Sequence, residues 1–134
     1  MKIDHDYLKG LLEAFEASNH PQTDITELNE LGFDCRTDDF VFHMRLLEDR
    51  GLMSRSDGRS GFGMVETLDG QFHWAVMPLR LTASGHDFIE ALRNKEVWSA
   101  LKSGFKDASM GTLVTVSKQL LDRALKKQLD KYFD

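Results

Sequence analysis

The chain has 134 residues and a mass of 15.3 kDa, which suits one compact domain and is too short for two ordinary ones. Its residues are 41% hydrophobic and 29% charged, which excludes collagen-like, low-complexity and wholly disordered classes. The formal net charge of −5 opposes binding to nucleic acid unless the positive residues cluster on one surface.

Sequence patterns also indicate the compartment. No apolar run approaches the roughly 18 residues that a membrane span needs. The first ten residues, MKIDHDYLKG, are acidic where a signal peptide would be basic and then apolar. The single cysteine, Cys35, has no partner for an internal disulfide, which agrees with a reducing compartment. We therefore expect a cytoplasmic protein with a passive thiol.

The first third of the chain predicts two helices. Apolar residues at three- and four-residue steps predict a helix over residues 4–18. Residues 22–36 mix apolar and acidic side chains and predict either a short helix over 26–31 or an irregular strand. Thr37, followed by two aspartates, is typical of a helix N-cap, and Gly51 is a natural end for the helix that follows.

The middle of the chain predicts β-structure. A short strand is expected over residues 52–56. The glycine-rich loop over residues 56–63 is expected to be a mobile wing tip. The runs 64–68 and 71–77 are separated by Asp69-Gly70, a favoured two-residue hairpin turn. Aromatic residues at core spacing, Phe72 among them, are expected to be buried.

The last third predicts three helices. Leu79 and Leu81 lead to Thr82, a plausible N-cap for a helix over 83–94; a second helix or bent extension and a final helix over 112–132 follow. The expected fold class is α+β: a winged helix-turn-helix with a β-hairpin wing over residues 1–81. The C-terminal helical extension, 82–134, is expected to pack on it as one compact unit.

The stretch from 81 to 98 also carries a family resemblance. Together with FVFHMRLLEDRGLM and the helical tail, it resembles the bacterial and prophage-associated family catalogued as domain of unknown function 2513, which is similar to the YjcQ proteins. The residues that carry the resemblance most specifically are Thr82, Gly85, His86, Phe88, Arg93, Val97 and Trp98. The resemblance implies a winged-helix-like fold and no established activity.

A winged helix places its second motif helix in the major groove and its wing beside the neighbouring backbone. The candidate DNA-binding residues are therefore Arg36, Thr37, Phe42, Arg45, Arg55 and Arg59. Residues 41–60 carry four basic and three acidic side chains, whereas residues 1–40 carry three basic and ten acidic ones. The alternative is that these arginines are ordinary solvated charges on a fold used for protein contact.

The final helix has a broader apolar stripe than a surface helix needs. Because winged-helix regulators often dimerise through such helices, the stripe predicts a homodimer. The candidate oligomerisation residues are Leu113, Val116, Leu120, Leu121 and Leu125.

The sequence nominates no catalytic residues, metal ligands or cofactor site. No two histidines stand at the His-x-x-x-His spacing, and the glycine-rich loop lacks the Lys-Ser or Lys-Thr of a phosphate-binding loop. We therefore expect a non-enzymatic DNA-binding protein, a transcriptional regulator of bacterial or prophage origin. The alternative is a winged-helix-shaped protein-interaction module, which the acidic net charge favours.

Overall fold

The computed structural model describes residues 1–133, which form six helices and four short strands. The helices are α1 (His5–Glu16), α2 (Ile25–Glu30), α3 (Asp38–Asp49), α4 (Ala83–Arg93), α5 (Lys95–Gly104) and α6 (Met110–Phe133). The strands are β1 (Met53–Arg55), β2 (Met64–Glu66), β3 (Phe72–Trp74) and β4 (Leu79–Leu81). This content confirms the α+β class.

Strand β4 lies at the centre of the larger β-structure. It pairs antiparallel with β1, with Met53 opposite Leu81. On its other side, Thr23 and Leu79 exchange two backbone hydrogen bonds of 2.7 and 2.8 Å, which forms an isolated bridge. The sequence pattern did not predict β4, because its three residues are too few to establish an alternation, although they do alternate between buried and exposed.

Residues 22–36 contain the short helix that the sequence left open, preceded by an isolated β-bridge. Thr23 makes the bridge to β4, and α2 follows immediately. Asp24 caps α2, since its carboxylate accepts a hydrogen bond of 2.9 Å from the Glu27 N–H. Thr23 therefore bridges to β4 just before the chain enters α2.

The β2–β3 hairpin is shorter than predicted and turns differently. Thr67 N–H donates to the Gln71 carbonyl and Gly70 N–H to the Thr67 carbonyl, both at 2.9 Å, so the loop has three residues instead of two. Gly70 has φ +80°, the left-handed conformation that such a loop needs at its last position. Phe72, expected in the core, is 54% exposed because the hairpin extends beyond the body of the protein.

The C-terminal helices pack on the N-terminal elements. Helix α4 begins at the predicted cap Thr82, whose hydroxyl accepts from the Gly85 N–H at 3.1 Å. Helix α4 contacts α1, β4, α5 and α6, and one cluster of buried side chains runs from α1 to the start of α6. No helix among residues 1–133 is long and apolar enough to cross a membrane.

Candidate nucleic-acid interface

Helix α3 is positioned by caps at both ends. The Thr37 hydroxyl accepts from the Phe40 N–H at 3.2 Å and donates to the Asp34 carbonyl at 2.8 Å, so this predicted DNA contact serves as the N-cap. At the other end Gly51 has φ +66°, and the Leu52 N–H donates to the Leu47 carbonyl at 2.8 Å. This pattern is typical of a glycine-terminated helix, as the sequence predicted.

A buried histidine ties α3 to the start of α1. His43 is fully buried; its Nδ1 lies 2.7 Å from the Asp39 carbonyl and its Nε2 accepts from the Asp4 N–H at 3.0 Å. These two bonds require the tautomer with a proton on Nδ1 only. His43 thus packs in the core, and its bond to Asp4 joins residues 39 positions apart, a link for which the sequence has no local signal.

The outward face of α3 carries both signs of charge. Arg45 is exposed and has no ion pair within residues 1–133. Asp38 and Asp49 are exposed on the same helix. Phe42 is half-buried and packs edge-on against the His43 ring at 5.1 Å, so only part of it is free for contact. The outward face of α3 therefore presents one cation, Arg45, without an ion pair in the described part of the chain, between the acids Asp38 and Asp49.

Two of the four predicted arginines are engaged in ion pairs. The Arg36 guanidinium donates to both oxygens of Asp34, at 3.0 and 2.9 Å, while its side chain stays 77% exposed. These bonds hold the pKa of Asp34 below its usual value. Arg36 is thus accessible, but a phosphate would compete with Asp34 for it.

Arg55 is held more tightly than Arg36. Its guanidinium donates to both oxygens of Asp57, its side chain is only 12% exposed, and the same carboxylate accepts the Arg59 N–H at 3.1 Å. These contacts lower the pKa of Asp57. Arg55 therefore shapes its own loop, and the DNA contact predicted for it would require it to leave Asp57; the exposed side chain that this loop offers is Arg59.

The loop over residues 56–63 is not the tip of a wing. Phe62 is 4% exposed, with its ring 6.4 Å from Phe40 and 6.0 Å from Trp74, and the Gly61 N–H donates to the Glu48 carboxylate. The loop is therefore fastened to α3, contrary to the expected mobile tip. In the sequence, the signal for this anchor is an aromatic residue between two glycines. The sequence contains no signal for the hydrogen bond of Glu48, because its partner Gly61 lies 13 residues away.

The β2–β3 loop lies at the exposed end of the hairpin, and its composition does not resemble that of a DNA-contacting wing. Leu68 is fully exposed, and Val65 and Phe72 are about half exposed. The only charged residues of the hairpin are Glu66 and Asp69. Its surface is therefore apolar and acidic.

The five predicted oligomerisation residues differ in accessibility. Leu113 is 2% exposed and belongs to the core of its own chain, so it is not available to a second copy. Val116, Leu120 and Leu121 are half-buried against that core, and Leu125 is 38% exposed. Beyond them, Leu129, Tyr132 and Phe133 are exposed, although the prediction did not include them.

Other chemistry-bearing side chains are dispersed. Burial, together with the nearby Asp34, raises the pKa of the Cys35 thiol, which keeps it protonated at neutral pH. Among residues 1–133, no three His, Cys, Asp or Glu side chains come together as a metal site would require.

The comparisons with known proteins bear on the whole chain. A family model described as "Hypothetical protein (DUF2513)" matches residues 2–111, which includes residues 22–36 and ends just inside α6. An uncharacterized protein of Haemophilus influenzae is 25% identical over 129 residues, covering 96% of this chain and 99% of its own. No solved structure matches significantly. The resemblance to the DUF2513 family is thus confirmed, and the chain belongs to that family.

Proposed function

We propose that this chain is a winged-helix protein that binds double-stranded DNA as a non-enzymatic transcriptional regulator. The observation that carries the proposal is the order of elements along the chain, which is α1, the Thr23 bridge, α2, α3, β1, the loop with the β2–β3 hairpin, and β4. Strand β4 lies between β1 and Thr23 and is central among these paired segments. Winged helix-turn-helix domains have the same order. In them, the helix at the position of α3 enters the major groove.

Arg45 and Arg59 would make the principal DNA contacts. Arg45 projects from α3, and Arg59 belongs to the loop that Glu48 and Phe62 fasten to α3. The backbone that carries both arginines therefore belongs to one connected unit, which limits the backbone conformational entropy lost on binding. The Arg36 guanidinium is a third hydrogen-bond donor to DNA once it gives up its bonds to the Asp34 carboxylate. Arginine suits either role, because its planar fork binds phosphate oxygens and guanine edges in pairs.

The charges also limit the affinity. Asp38 and Asp49 flank Arg45, and the hairpin supplies no cation. With two or three phosphate contacts, the logarithm of the binding constant should fall with the logarithm of salt concentration with a slope of about −2 to −3. Binding to random duplex should thus be measurable at low salt and weak at physiological salt.

Fluorescence polarisation with a labelled random duplex tests the proposal directly. Changing Arg45→Ala and Arg59→Ala together should weaken binding at least about tenfold. The matched control removes two cations elsewhere, Arg80→Ala with Lys95→Ala, and should change binding about twofold or less. If the wild-type chain binds no duplex at low salt, the proposal is wrong.

A second candidate, a protein-interaction module, is favoured by the hairpin. Its end presents Leu68, Val65 and Phe72 beside Glu66 and Asp69, a surface suited to a partner that is apolar and basic. Affinity capture with wild type and with the Leu68→Ser, Phe72→Ser variant tests this candidate. A partner retained equally by both proteins would exclude the hairpin as its binding surface.

A further inference from the structure

The end of α6 is uncovered. Ala124 is its last half-buried residue, and every residue from 125 to 133 is exposed. At 1.5 Å per residue, this projecting end is about 14 Å long. It carries Leu129 at 56%, Tyr132 at 82% and Phe133 at 78% exposure. A helical end with so much apolar surface would gain stability from being covered.

The apolar residues of this end continue a stripe that begins nearer the body. Leu121, Leu125, Leu129 and Tyr132 follow one another at steps of four, four and three residues. That spacing places them on one face of the helix. The stripe therefore runs from the half-buried Leu121 to the exposed tip.

A groove lies between α4 and α6 and shares Leu121 and Leu125 with the stripe. It has a volume of about 390 Å³ and is lined on the α4 side by Phe88 and Ala91. On the α6 side it is lined from Val114 through Leu121 to Leu125. Val114 to Leu125 and Leu121 to Tyr132 each span eleven residue steps, about 16 Å of helix. The apolar lining of the groove and the apolar stripe thus have the same length.

The two surfaces carry opposite charge. The groove is edged by three acids, Asp87, Glu90 and Asp122, against one base, Lys118. The projecting end, residues 125–133, carries three lysines, at 126, 127 and 131, against one aspartate, Asp130. This complementarity favours a basic helix as the occupant of the groove, and α6 is itself such a helix.

We propose that the projecting end of α6 packs into the α4–α6 groove of a second copy, reciprocally and about a two-fold axis. One chain carries both the stripe and the matching groove, which is the requirement for a closed, isologous dimer. The dimer buries Leu125, Leu129 and Tyr132 of each copy and brings the net positive end of each α6 next to the acidic edge of the other copy's groove. It uses a surface separate from α3 and does not depend on DNA binding.

The experiment is sedimentation equilibrium or light scattering of the full chain over a range of concentrations. Wild type should form a dimer that weakens with added salt, because part of its attraction is between exposed charges. Leu129→Glu should raise the dimer dissociation constant at least about tenfold. Gln119→Glu, which adds the same charge at an exposed position of α6 outside the stripe, should leave it unchanged, and circular dichroism should show both variants folded.

A groove variant makes the assignment specific. Asp87→Lys combined with Glu90→Lys removes the acidic edge on α4 without touching the stripe, and it should weaken the dimer at least about tenfold as well. A wild-type chain that stays monomeric at every concentration overturns the proposal. A dimer insensitive to Leu129→Glu, or one insensitive to the groove variant, also overturns it, because its interface would then lie elsewhere.

Discussion

Helix α4 approaches the backbone just before β1 closely at Gly85, and substituting this residue tests how the N-terminal elements and the C-terminal helices are joined. Gly85 is buried in the first turn of α4, where a Cβ atom would overlap the carbonyl oxygen of Leu52. That same oxygen accepts a 3.0 Å hydrogen bond from the Thr82 N–H. Because the obstacle is backbone at the start of β1, no side-chain rotation relieves the clash, and Gly85→Ala must push α4 away from the sheet.

The expected magnitude follows from two opposing effects. Within a helix, Gly→Ala ordinarily stabilises by about 0.4–1 kcal/mol, because alanine restricts the unfolded chain. Overpacking costs about 1–3 kcal/mol and more when backbone must shift. We expect a net loss of at least about 2 kcal/mol in the free energy of unfolding, which for a domain of this size lowers the melting temperature by roughly 6–10 °C.

Thermal unfolding followed by circular dichroism measures this difference against a matched control. Gly104, the last residue of α5, has no atom within 4 Å of the position that a Cβ would occupy. Gly104→Ala should therefore leave the melting temperature unchanged or slightly raised. If the two variants melt within about 2 °C of each other, the close approach of α4 to Leu52 does not constrain the fold and the reasoning fails.

Two further predictions concern the surroundings of α3. Phe62→Ala should lower the free energy of unfolding in urea by about 3–5 kcal/mol, whereas Phe72→Ala, at a 54% exposed position, should change it by about 0.5 kcal/mol or less. Burial raises the pKa of Tyr7 to about 12. Since the unfolded tyrosine ionises near pH 10, the stability from burying neutral Tyr7 is complete below pH 10 and is lost as pH rises to 12. Tyr7→Phe should remove this loss in denaturation curves, and Tyr132→Phe should not.

The helices were predictable because their signals are local. Thr37 and Thr82 each cap a helix through a bond to an N–H three residues ahead, and a single sequence contains that information. The strands carried less information, since three residues barely define an alternation. The hairpin turn was one residue longer than predicted because Asp69-Gly70 also fits a three-residue loop that ends in a left-handed glycine.

The candidate interface was harder to predict because the availability of a charge depends on its partner. Arg36 pairs with Asp34 and Arg55 with Asp57, in both cases at a separation of two residues, so these pairs were within reach of the sequence. The Glu48 bond to Gly61 and the His43 bond to Asp4 connect distant segments and had no pattern to reveal them. Residue type thus identified the arginines as candidate DNA contacts, and the tertiary structure shows which of them already form ion pairs.

The separation of the β2–β3 hairpin from the β1–β4 pair makes it a natural place for variation in chain length. The two ladders share no hydrogen-bonded strand, so residues can be added or removed between Glu66 and Phe72 without altering the register of Met53 against Leu81. Doubling the length of a flexible loop costs only about 0.6 kcal/mol in closure entropy. A fluorophore or peptide tag inserted at Leu68 should therefore leave the core intact, which makes the hairpin tip a practical attachment point for duplex-binding assays, although not for tests of a partner that binds the hairpin.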